Sequence, residues 1–343
     1  MTSSINTRIL GNSGVALTEL GMGGAPFGDL FDSLSEQAVQ DTLQKAWDAG
    51  IRYFDTAPYY GYGKSEHRVG TFLRQQNRSD FILSSKAGRV LRATHDLEHF
   101  DSGFWKGGLP FDIEFDYSYD GIMRSYEDSL QRLSLPSLDL LIIHDLDFLF
   151  HKTEARVQAC LSELATSGWR ALEQLKRQGL IRGIGAGINQ AEMIPRFLDM
   201  IDLDFFLVAM PYTLLDQSVL DHEFPLCAEH HTGIVIGAVF ASGILVTGSV
   251  AGARYAYETA TPEILDKTQR IESVCNRHAV PLPAAAMQFP LAHPLVASII
   301  PGALSPKQIA MNSELFHHPI PSEFWHELKQ QRLLHEDAPV PGS

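Results

Sequence analysis

A short apolar segment, a polar loop and an amphipathic helix recur along most of this chain, and this alternation is the feature that most limits its fold. The apolar segments lack polar alternation, which is typical of parallel strands covered on both faces. Eight of them are found, at residues 20–23, 51–54, 81–86, 138–144, 181–186, 205–209, 233–237 and 296–300. Helical patterns follow them at residues 35–49, 65–74, 120–133, 159–178, up to 197, 217–230, 263–277 with 283–291, and from 306 onward.

Eight strand–helix units in 343 residues match a (β/α)8 TIM barrel. We expect one α/β barrel domain over residues 1–343, with an N-terminal β-hairpin at residues 8–18. A long loop at residues 88–120 follows the third strand, and an extra helix at residues 323–334 closes the chain. A doubly wound open sheet is the alternative topology.

Composition limits the ligand and the compartment. The formal charge of -14, without a run of Lys or Arg, argues against a nucleic-acid partner and favours a small-molecule ligand. Residues 1–8 lack the apolar core of a signal peptide, and no apolar stretch reaches membrane-spanning length, so a cytoplasmic protein with no membrane partner is expected. The three cysteines are far apart in sequence, which predicts neither a disulfide framework nor a zinc cluster.

Polar residues end three of the predicted strands, namely Asp55, Lys86 and His144, and Tyr60 follows the first of them. The carboxyl ends of barrel strands carry the active site in this fold. A buried charge is costly unless it is paired, so the residues form either a structural ion-pair cluster or a catalytic site. Because titratable groups with altered pKa values concentrate in functional clefts, the pattern favours a catalytic site.

Four motifs in order along nearly the whole chain resemble those of the aldo-keto reductases. They are Gly-Ile-Arg-Tyr-Phe-Asp-Thr-Ala-Pro-Tyr-Tyr-Gly at residues 50–61, Ser85-Lys86, Ile143-His144, and Ile300-Pro-Gly302 with Asn312 downstream. The resemblance implies a catalytic tetrad of Asp55, Tyr60, Lys86 and His144. It also implies a nicotinamide dinucleotide bound without a Rossmann fold.

The implied chemistry needs these residue types. A free tyrosine has a pKa of about 10, and we expect the Lys86 ammonium to lower the pKa of Tyr60 so that the phenol can carry the proton. Asp55 is expected to hold Lys86 in place. His144 is expected to hydrogen-bond the reacting oxygen and orient the substrate.

The resemblance also implies which residues bind the cofactor, and this chain departs from the family pattern at some of these positions. After the fifth strand the usual Ser-Asn pair is replaced by Gly187 and Ile188, with Asn189 as a substitute, and after the sixth strand the usual Gln is Ala209. The other implied cofactor residues are Tyr212 stacked on the nicotinamide, Phe240, Ser242, Gly243 and Leu245 around the diphosphate, and Gly302, Ser305, Gln308 and Asn312 in the last barrel segment.

The last barrel segment also predicts which cofactor is used. A 2'-phosphate needs cationic partners, yet Gly302, Ser305 and Gln308 carry no charge, and Lys307 points elsewhere on a helix. The sequence therefore predicts NAD over NADP.

The loop at residues 88–120 is rich in aromatic residues and is a candidate lid or substrate pocket, with Tyr59, Phe104 and Trp105 as pocket candidates. The sequence at residues 115–133 resembles that of the aldose 1-dehydrogenase branch of the family, and pyridoxal 4-dehydrogenase is a close relative of this branch. This resemblance implies oxidation of a cyclic hemiacetal to a lactone, the substrate being an aldose such as L-fucose, D-arabinose or L-galactose.

Several alternatives stay open. The first is pyridoxal oxidation to 4-pyridoxolactone, and the second is a general NAD(P)H aldehyde reductase or a non-catalytic cofactor-binding subunit. No metal is expected, although His95 and His99, with Asp96 and Glu98, allow a metal site as the alternative to a solvated polar loop.

Overall fold

The computed structural model describes residues 5–342 of the chain. In chain order the strands are β1 (Thr7–Leu10), β2 (Val15–Thr18), β3 (Met22–Gly23), β4 (Tyr53–Asp55), β5 (Ile82–Ala87), β6 (Arg89–Ala93), β7 (Phe111–Phe115), β8 (Leu140–His144), β9 (Gly183–Ile188), β10 (Phe205–Val208), β11 (Gly233–Ile236), β12 (Arg254–Tyr255), β13 (Glu258–Thr259) and β14 (Val296–Ile299).

The α-helices are α1 (Glu36–Asp48), α2 (Lys64–Leu73), α3 (Tyr119–Leu133), α4 (Phe148–His151), α5 (Glu154–Glu163), α6 (Trp169–Arg177), α7 (Met193–Leu198), α8 (Glu223–Glu229), α9 (Ile244–Thr247), α10 (Pro262–Arg277), α11 (Leu282–Leu291), α12 (Pro306–Phe316) and α13 (Ser322–Gln330). Short 3-10 turns lie at Gly11–Ser13, Ala25–Gly28, Arg78–Asp80, Ser218–Leu220 and Ala241–Gly243. Side-chain caps explain several helix starts: Ser35, Ser118, Thr153, Thr261 and Ser305 each accept a bond from a backbone N–H of the first turn.

Eight strands form the central parallel sheet, in the spatial order β3, β4, β5, β8, β9, β10, β11, β14. Parallel bridges from Leu20 to Ile299 and from Gly23 to Gly302 join the first strand to the last. The sheet is therefore a closed barrel, and the predicted (β/α)8 fold is confirmed while the open doubly wound sheet is excluded.

The interior of the barrel is packed with side chains. A buried apolar cluster joins Tyr53, Leu140 and Phe205 of the barrel strands to Leu10 and Val15 of the N-terminal hairpin. The β1–β2 hairpin, predicted from its turn residues, thus packs against the interior of the barrel. A larger apolar cluster lies between the barrel strands and the surrounding helices.

The connection after β5 is more ordered than predicted. Instead of one long loop, β6 and β7 pair as an antiparallel hairpin with Arg89 opposite Phe115. The prediction missed the alternation of polar and apolar residues in Phe111–Phe115, and Arg89–Ala93 carries no such alternation that could have marked it as a strand. The stretch between the two strands, residues 94–110, remains loop and carries Phe104 and Trp105.

Two predicted helices have different bounds. The helix expected at residues 159–178 begins at Glu154 and is interrupted by a π-helix over Leu164–Gly168. Gly168 is required there because a Cβ atom would lie 2.1 Å from the backbone oxygen of Tyr117. The extra C-terminal helix is present as α13 and ends at Gln330. No helix within residues 5–342 combines the length and apolarity needed to cross a membrane.

Candidate active site

Asp55, Tyr60, Lys86 and His144 meet at the carboxyl ends of neighbouring barrel strands. Asp55 is the last residue of β4, Lys86 lies near the end of β5, and His144 is the last residue of β8. Tyr60, Lys86 and His144 line a cavity of about 440 Å³. The convergence expected from the strand ends is therefore found in the structure.

Lys86 and Asp55 form a buried ion pair. The Nζ atom of Lys86 lies 2.7 Å from Oδ2 of Asp55 and donates a second bond of 2.9 Å to the backbone oxygen of Thr56. The hydroxyl of Ser84 donates to Oδ1 of Asp55 at 2.7 Å. Each charge thus has partners, which is the condition for holding a charge in the interior.

Tyr60 lines the cavity beside this ion pair. The Nζ atom of Lys86 is 4.8 Å from the centre of the Tyr60 ring. Burial raises the pKa of Tyr60 well above its ordinary value, and the negative charges of Asp55 and Asp145 raise it further while Arg89 lowers it. The expectation that Lys86 lowers this pKa is therefore wrong, because desolvation of the phenolate and the charge of Asp55 dominate.

His144 is a neutral imidazole in this environment. Burial, and then the positive charges of Arg89 and Lys86, hold its pKa well below the ordinary value. Its Nε2 atom lies 3.1 Å from Oδ2 of Asp145. Which ring nitrogen carries the proton is not fixed by this contact, because the two atoms do not have hydrogen-bond geometry. Nδ1 is buried and has no hydrogen-bond partner among residues 5–342.

A second ion pair, which the sequence reasoning missed, adjoins His144. The Nη2 atom of Arg89 lies 2.5 Å from Oδ2 of Asp145, and both residues are buried. The Arg89 guanidinium lies over the rings of Tyr59 at 3.9 Å and Phe150 at 4.1 Å. Burial raises the pKa of Asp145, and Arg89 opposes that shift. The adjacency of Asp145 to His144 was the available sequence signal.

The aromatic pocket candidates lie where they were expected. Tyr59, Phe104 and Trp105 all line the 440 Å³ cavity. The Trp105 ring is buried and lies 5.4 Å from the ring of Tyr59, edge to face. Phe150 and Tyr257 also line the cavity and were not predicted.

A second cavity of about 340 Å³ adjoins the first and shares Tyr60, Ala209 and Tyr257 with it. It contains four of the predicted cofactor residues, Phe240, Ser242, Gly243 and Gly302. Ser242 and Gly243 have positive φ angles of 61° and 108°, so the backbone turns sharply at the cavity edge. Arg254, which was not predicted, is a cation in the lining and lies over the Phe31 ring at 5.0 Å.

The other predicted cofactor residues lie differently. Asn189 lines the first cavity and donates to both Asp145 and Asp147. The Ser305 hydroxyl caps α12, and Oε1 of Gln308 accepts from the Leu304 N–H at 2.6 Å. Leu245 and Asn312 are buried and, like Ser305 and Gln308, are not part of the lining of either cavity.

The position of Tyr212 contradicts its predicted role of stacking on the nicotinamide. It is fully buried, and its ring packs against Phe224 at 4.9 Å, Phe289 at 5.2 Å and His293 at 5.7 Å. The chain after β10 turns this side chain into the helical layer, because the apolar ring is better covered there than in the cleft. Tyr212 is therefore a core residue in this structure.

Metal-ligating side chains do not cluster in the described part of the chain. Within residues 5–342 no three His, Cys, Asp or Glu side chains are placed to hold a metal ion. His99 instead pairs with Asp96 at 2.8 Å, and both side chains are exposed.

The barrel and the residues at its carboxyl end define an oxidoreductase of the aldo-keto reductase type. The model of the Aldo/keto reductase family matches residues 19–332, and the chain belongs to that family. Members of this family bind nicotinamide cofactors.

Individual relatives cover almost the whole chain. The pyridoxal 4-dehydrogenase of Microbacterium luteolum is 42% identical over 337 residues, covering 95% of this chain and 97% of the relative. The D-threo-aldose 1-dehydrogenase of a Pseudomonas species is 39% identical over 329 residues, covering 94% and 96%. Among solved structures, the holo form of an aldo-keto reductase from Bacillus halodurans superposes with a TM-score of 0.73 at 26% identity and covers 99% of each chain.

Proposed function

We propose that this protein oxidises a cyclic hemiacetal at its anomeric carbon to the lactone, with NAD as the hydride acceptor. The substrate class is an aldose such as L-fucose, D-arabinose or L-galactose. The observation that carries the proposal is that Tyr60 and His144 line a cavity rich in aromatic residues, which shares Tyr60 and other lining residues with a second cleft. The relative named D-threo-aldose 1-dehydrogenase, at 39% identity, supports the substrate class.

The residues divide the work as follows. Tyr60 accepts the proton of the hemiacetal hydroxyl as the C–H bond at the same carbon breaks. His144 donates a hydrogen bond from its ring N–H to an oxygen of the reacting centre and fixes its orientation. Lys86 and Asp55 keep the Tyr60 ring in position, and their charges set the electrostatic field at its hydroxyl group. The nicotinamide, when bound, supplies the electron-pair acceptor for the hydride.

The cleft beside the substrate cavity fits a dinucleotide. Phe240, Ser242 and Gly243 form a turn at its edge, and Arg254 supplies a cation of the kind a diphosphate requires. We propose that Gly302, Ser305, Gln308 and Asn312 lie along the adenosine half and that Asn189 faces the carboxamide. Leu245 supports the turn from beneath.

NAD is the proposed cofactor because the residues expected around a 2'-phosphate are uncharged. Gly302 has no side chain, and both Ser305 and Gln308 already bond the backbone of their own turn. A 2'-phosphate in this region would lack the charge-assisted partners that stabilise it elsewhere.

Pyridoxal is the second candidate substrate, with 4-pyridoxolactone as its product. The 42% identity to the relative named pyridoxal 4-dehydrogenase favours it. Pyridoxal also forms a cyclic hemiacetal, so the same proton and hydride transfers apply. The rings of Tyr59 and Trp105 suit either a sugar face or a pyridine ring.

A single substrate panel tests the proposal. L-fucose, L-galactose, D-arabinose and pyridoxal are each incubated with NAD or NADP, and reduced cofactor and lactone are measured. Oxidation of at least one hemiacetal, faster with NAD, is the expected result. Activity confined to reduction of aldehydes by NAD(P)H favours a general reductase, and cofactor binding without turnover favours a non-catalytic subunit.

We further propose that the chain acts as a single barrel domain in the cytoplasm, on small molecules. The packing of the β1–β2 hairpin against the barrel interior and the burial of Phe324 and Trp325 of α13 in the main apolar cluster support one cooperative unit.

A further inference from the structure

Asp145 lines the substrate cavity as a fixed carboxylate that the reaction chemistry described above does not use. Its side chain is 12% exposed, and it faces the cavity beside His144. The backbone at Asp145 has a φ of 51°, in the left-handed region, which turns the chain immediately after β8. This turn brings the side chains of two consecutive residues, His144 and Asp145, into the lining of the cavity.

Three protein groups face the Asp145 carboxylate. Oδ2 lies 2.5 Å from Nη2 of Arg89 and 3.1 Å from Nε2 of His144, and Oδ1 accepts from Asn189 at 3.2 Å. A carboxylate has about four acceptor positions. Arg89 and Asn189 occupy two of these positions, so one position on Oδ1 and one on Oδ2 remain for a substrate hydroxyl.

Arg89 holds the carboxylate in place. Its guanidinium packs against the rings of Tyr59 and Phe150, which limit its movement. The Arg89 side chain is 3% exposed, and its ion pair with Asp145 orients the carboxylate in a cavity whose other lining is largely apolar. A preorganised charge of this kind can discriminate between substrates by their hydroxyl groups.

We propose that Asp145 is a specificity-determining residue that accepts a hydrogen bond from the substrate hydroxyl nearest the reacting carbon, with Arg89 as its positioning residue. The proposal rests on the proposed function. In an aldose hemiacetal this hydroxyl is on C2, and in pyridoxal it is the phenolic 3-hydroxyl. Because His144 and Asp145 are adjacent, they match two oxygens on neighbouring or nearly neighbouring carbons.

The test compares L-fucose with 2-deoxy-L-fucose in the wild type and in Asp145→Asn, with NAD as cofactor. The wild type is expected to prefer L-fucose in kcat/KM by about ten- to a hundredfold, the usual value of a hydrogen bond to a charged group. Asp145→Asn is expected to remove most of this preference. The ratio of the two substrates on one preparation is independent of the fraction of folded enzyme.

Asp147→Asn is the matched control. Asp147 is a buried carboxylate two residues further on, it accepts from the same Asn189 side chain, and it is not part of the cavity lining. This variant is expected to keep the wild-type ratio of the two substrates even where its turnover falls. If Asp145→Asn does not fold, Asp145→Asn combined with Arg89→Met removes the pair together and serves the same comparison.

The outcomes separate the two proposals. Equal loss of activity on both sugars in Asp145→Asn, with the ratio unchanged, overturns the role of Asp145 and leaves the proposed function standing. A wild type that oxidises hemiacetals without preferring the hydroxylated sugar has the same meaning. A wild type that oxidises neither sugar, and that also fails with pyridoxal, overturns both.

Discussion

Lys86 and Asp55 are joined at 2.7 Å in an environment where their side chains are 1% and 2% exposed. The pair links the neighbouring strands β4 and β5 at the carboxyl end of the barrel. Asp55 also offsets the charge of Lys86, whose Nζ atom lies 4.8 Å from the centre of the Tyr60 ring. Stability and catalysis therefore depend on the same two side chains in different ways. Substitutions at these positions can separate the effect on stability from the effect on turnover.

Lys86→Met leaves Asp55 buried without its counter-ion and is expected to lower the free energy of unfolding by about 3–5 kcal/mol. The double variant Asp55→Asn with Lys86→Met removes both charges and is expected to recover most of that loss. Neither variant is expected to regain turnover. Urea unfolding and turnover of L-fucose measure the two effects, and a double variant no more stable than Lys86→Met contradicts the pairing argument.

Tyr60→Phe removes the proposed proton acceptor and keeps the ring that packs beside Lys86. Oxidation of L-fucose and of pyridoxal is expected to fall by about 100- to 10,000-fold, the range typical of a lost general acid or base. NAD binding, measured by fluorescence titration, is expected to persist. Tyr62→Phe is the matched control because Tyr62 packs against Phe100 and lies outside the 440 Å³ cavity. Turnover by Tyr60→Phe close to that of Tyr62→Phe removes Tyr60 from the mechanism.

The rate of oxidation is expected to rise with pH because the base form of Tyr60 is the phenolate. Burial, Asp55 and Asp145 raise the pKa of Tyr60 well above its ordinary value, so the phenolate fraction grows throughout the alkaline range. Below that pKa, kcat/KM for oxidation should increase by about tenfold per pH unit. A profile of kcat/KM from neutral to alkaline pH checks this. A plateau near neutral pH means that cofactor binding lowers the pKa of Tyr60.

Much of the architecture could be predicted because local pattern decides it. Apolar segments without alternation placed all eight barrel strands within about two residues of their observed ends. The strand-end position of Asp55, Lys86 and His144 placed them at one rim, since parallel strands bring their carboxyl ends together. These inferences need only the sequence and the direction of the chain.

The features that could not be predicted depend on contacts between residues that are distant in sequence. Arg89 and Asp145 are 56 positions apart, and their pairing depends on how the β6–β7 hairpin folds over the rim. Tyr212 shows the same limit, because its position after β10 does not say whether the chain turns its ring toward the cleft or toward Phe224 and Phe289. Tertiary packing decides such cases.

Gln308→Arg is expected to shift cofactor use toward NADP. It places a guanidinium near the proposed 2'-hydroxyl position, and a charge-assisted contact to phosphate should tighten NADP binding by about tenfold. Lys307→Ala is the control, because it removes the neighbouring cation and should leave the NAD preference unchanged. Dissociation constants for NAD and NADP in the three proteins measure the effect. A wild-type preference for NADP that Lys307→Ala abolishes contradicts the proposed NAD specificity.

His293 makes the stability of the protein sensitive to acid. Its ring packs edge to face against Phe224 at 4.9 Å, and burial lowers its pKa from 6.5 to about 4. His293 therefore binds a proton at higher pH in the unfolded chain than in the folded protein. The stability that the neutral His293 contributes is fully present above pH 6.5 and declines as the pH falls toward 4. The loss due to this group should reach roughly 2–3 kcal/mol at the acidic end.

His293→Gln is expected to flatten the dependence of unfolding free energy on pH in this window, although packing loss lowers its stability at neutral pH. His230→Gln, at an exposed position, should retain the wild-type slope. Urea unfolding at pH values between 4 and 6.5 gives the slopes directly. Equal slopes in His293→Gln and wild type mean that other groups, buried carboxylates among them, control acid unfolding, since each proton taken up only by the unfolded chain contributes to the slope.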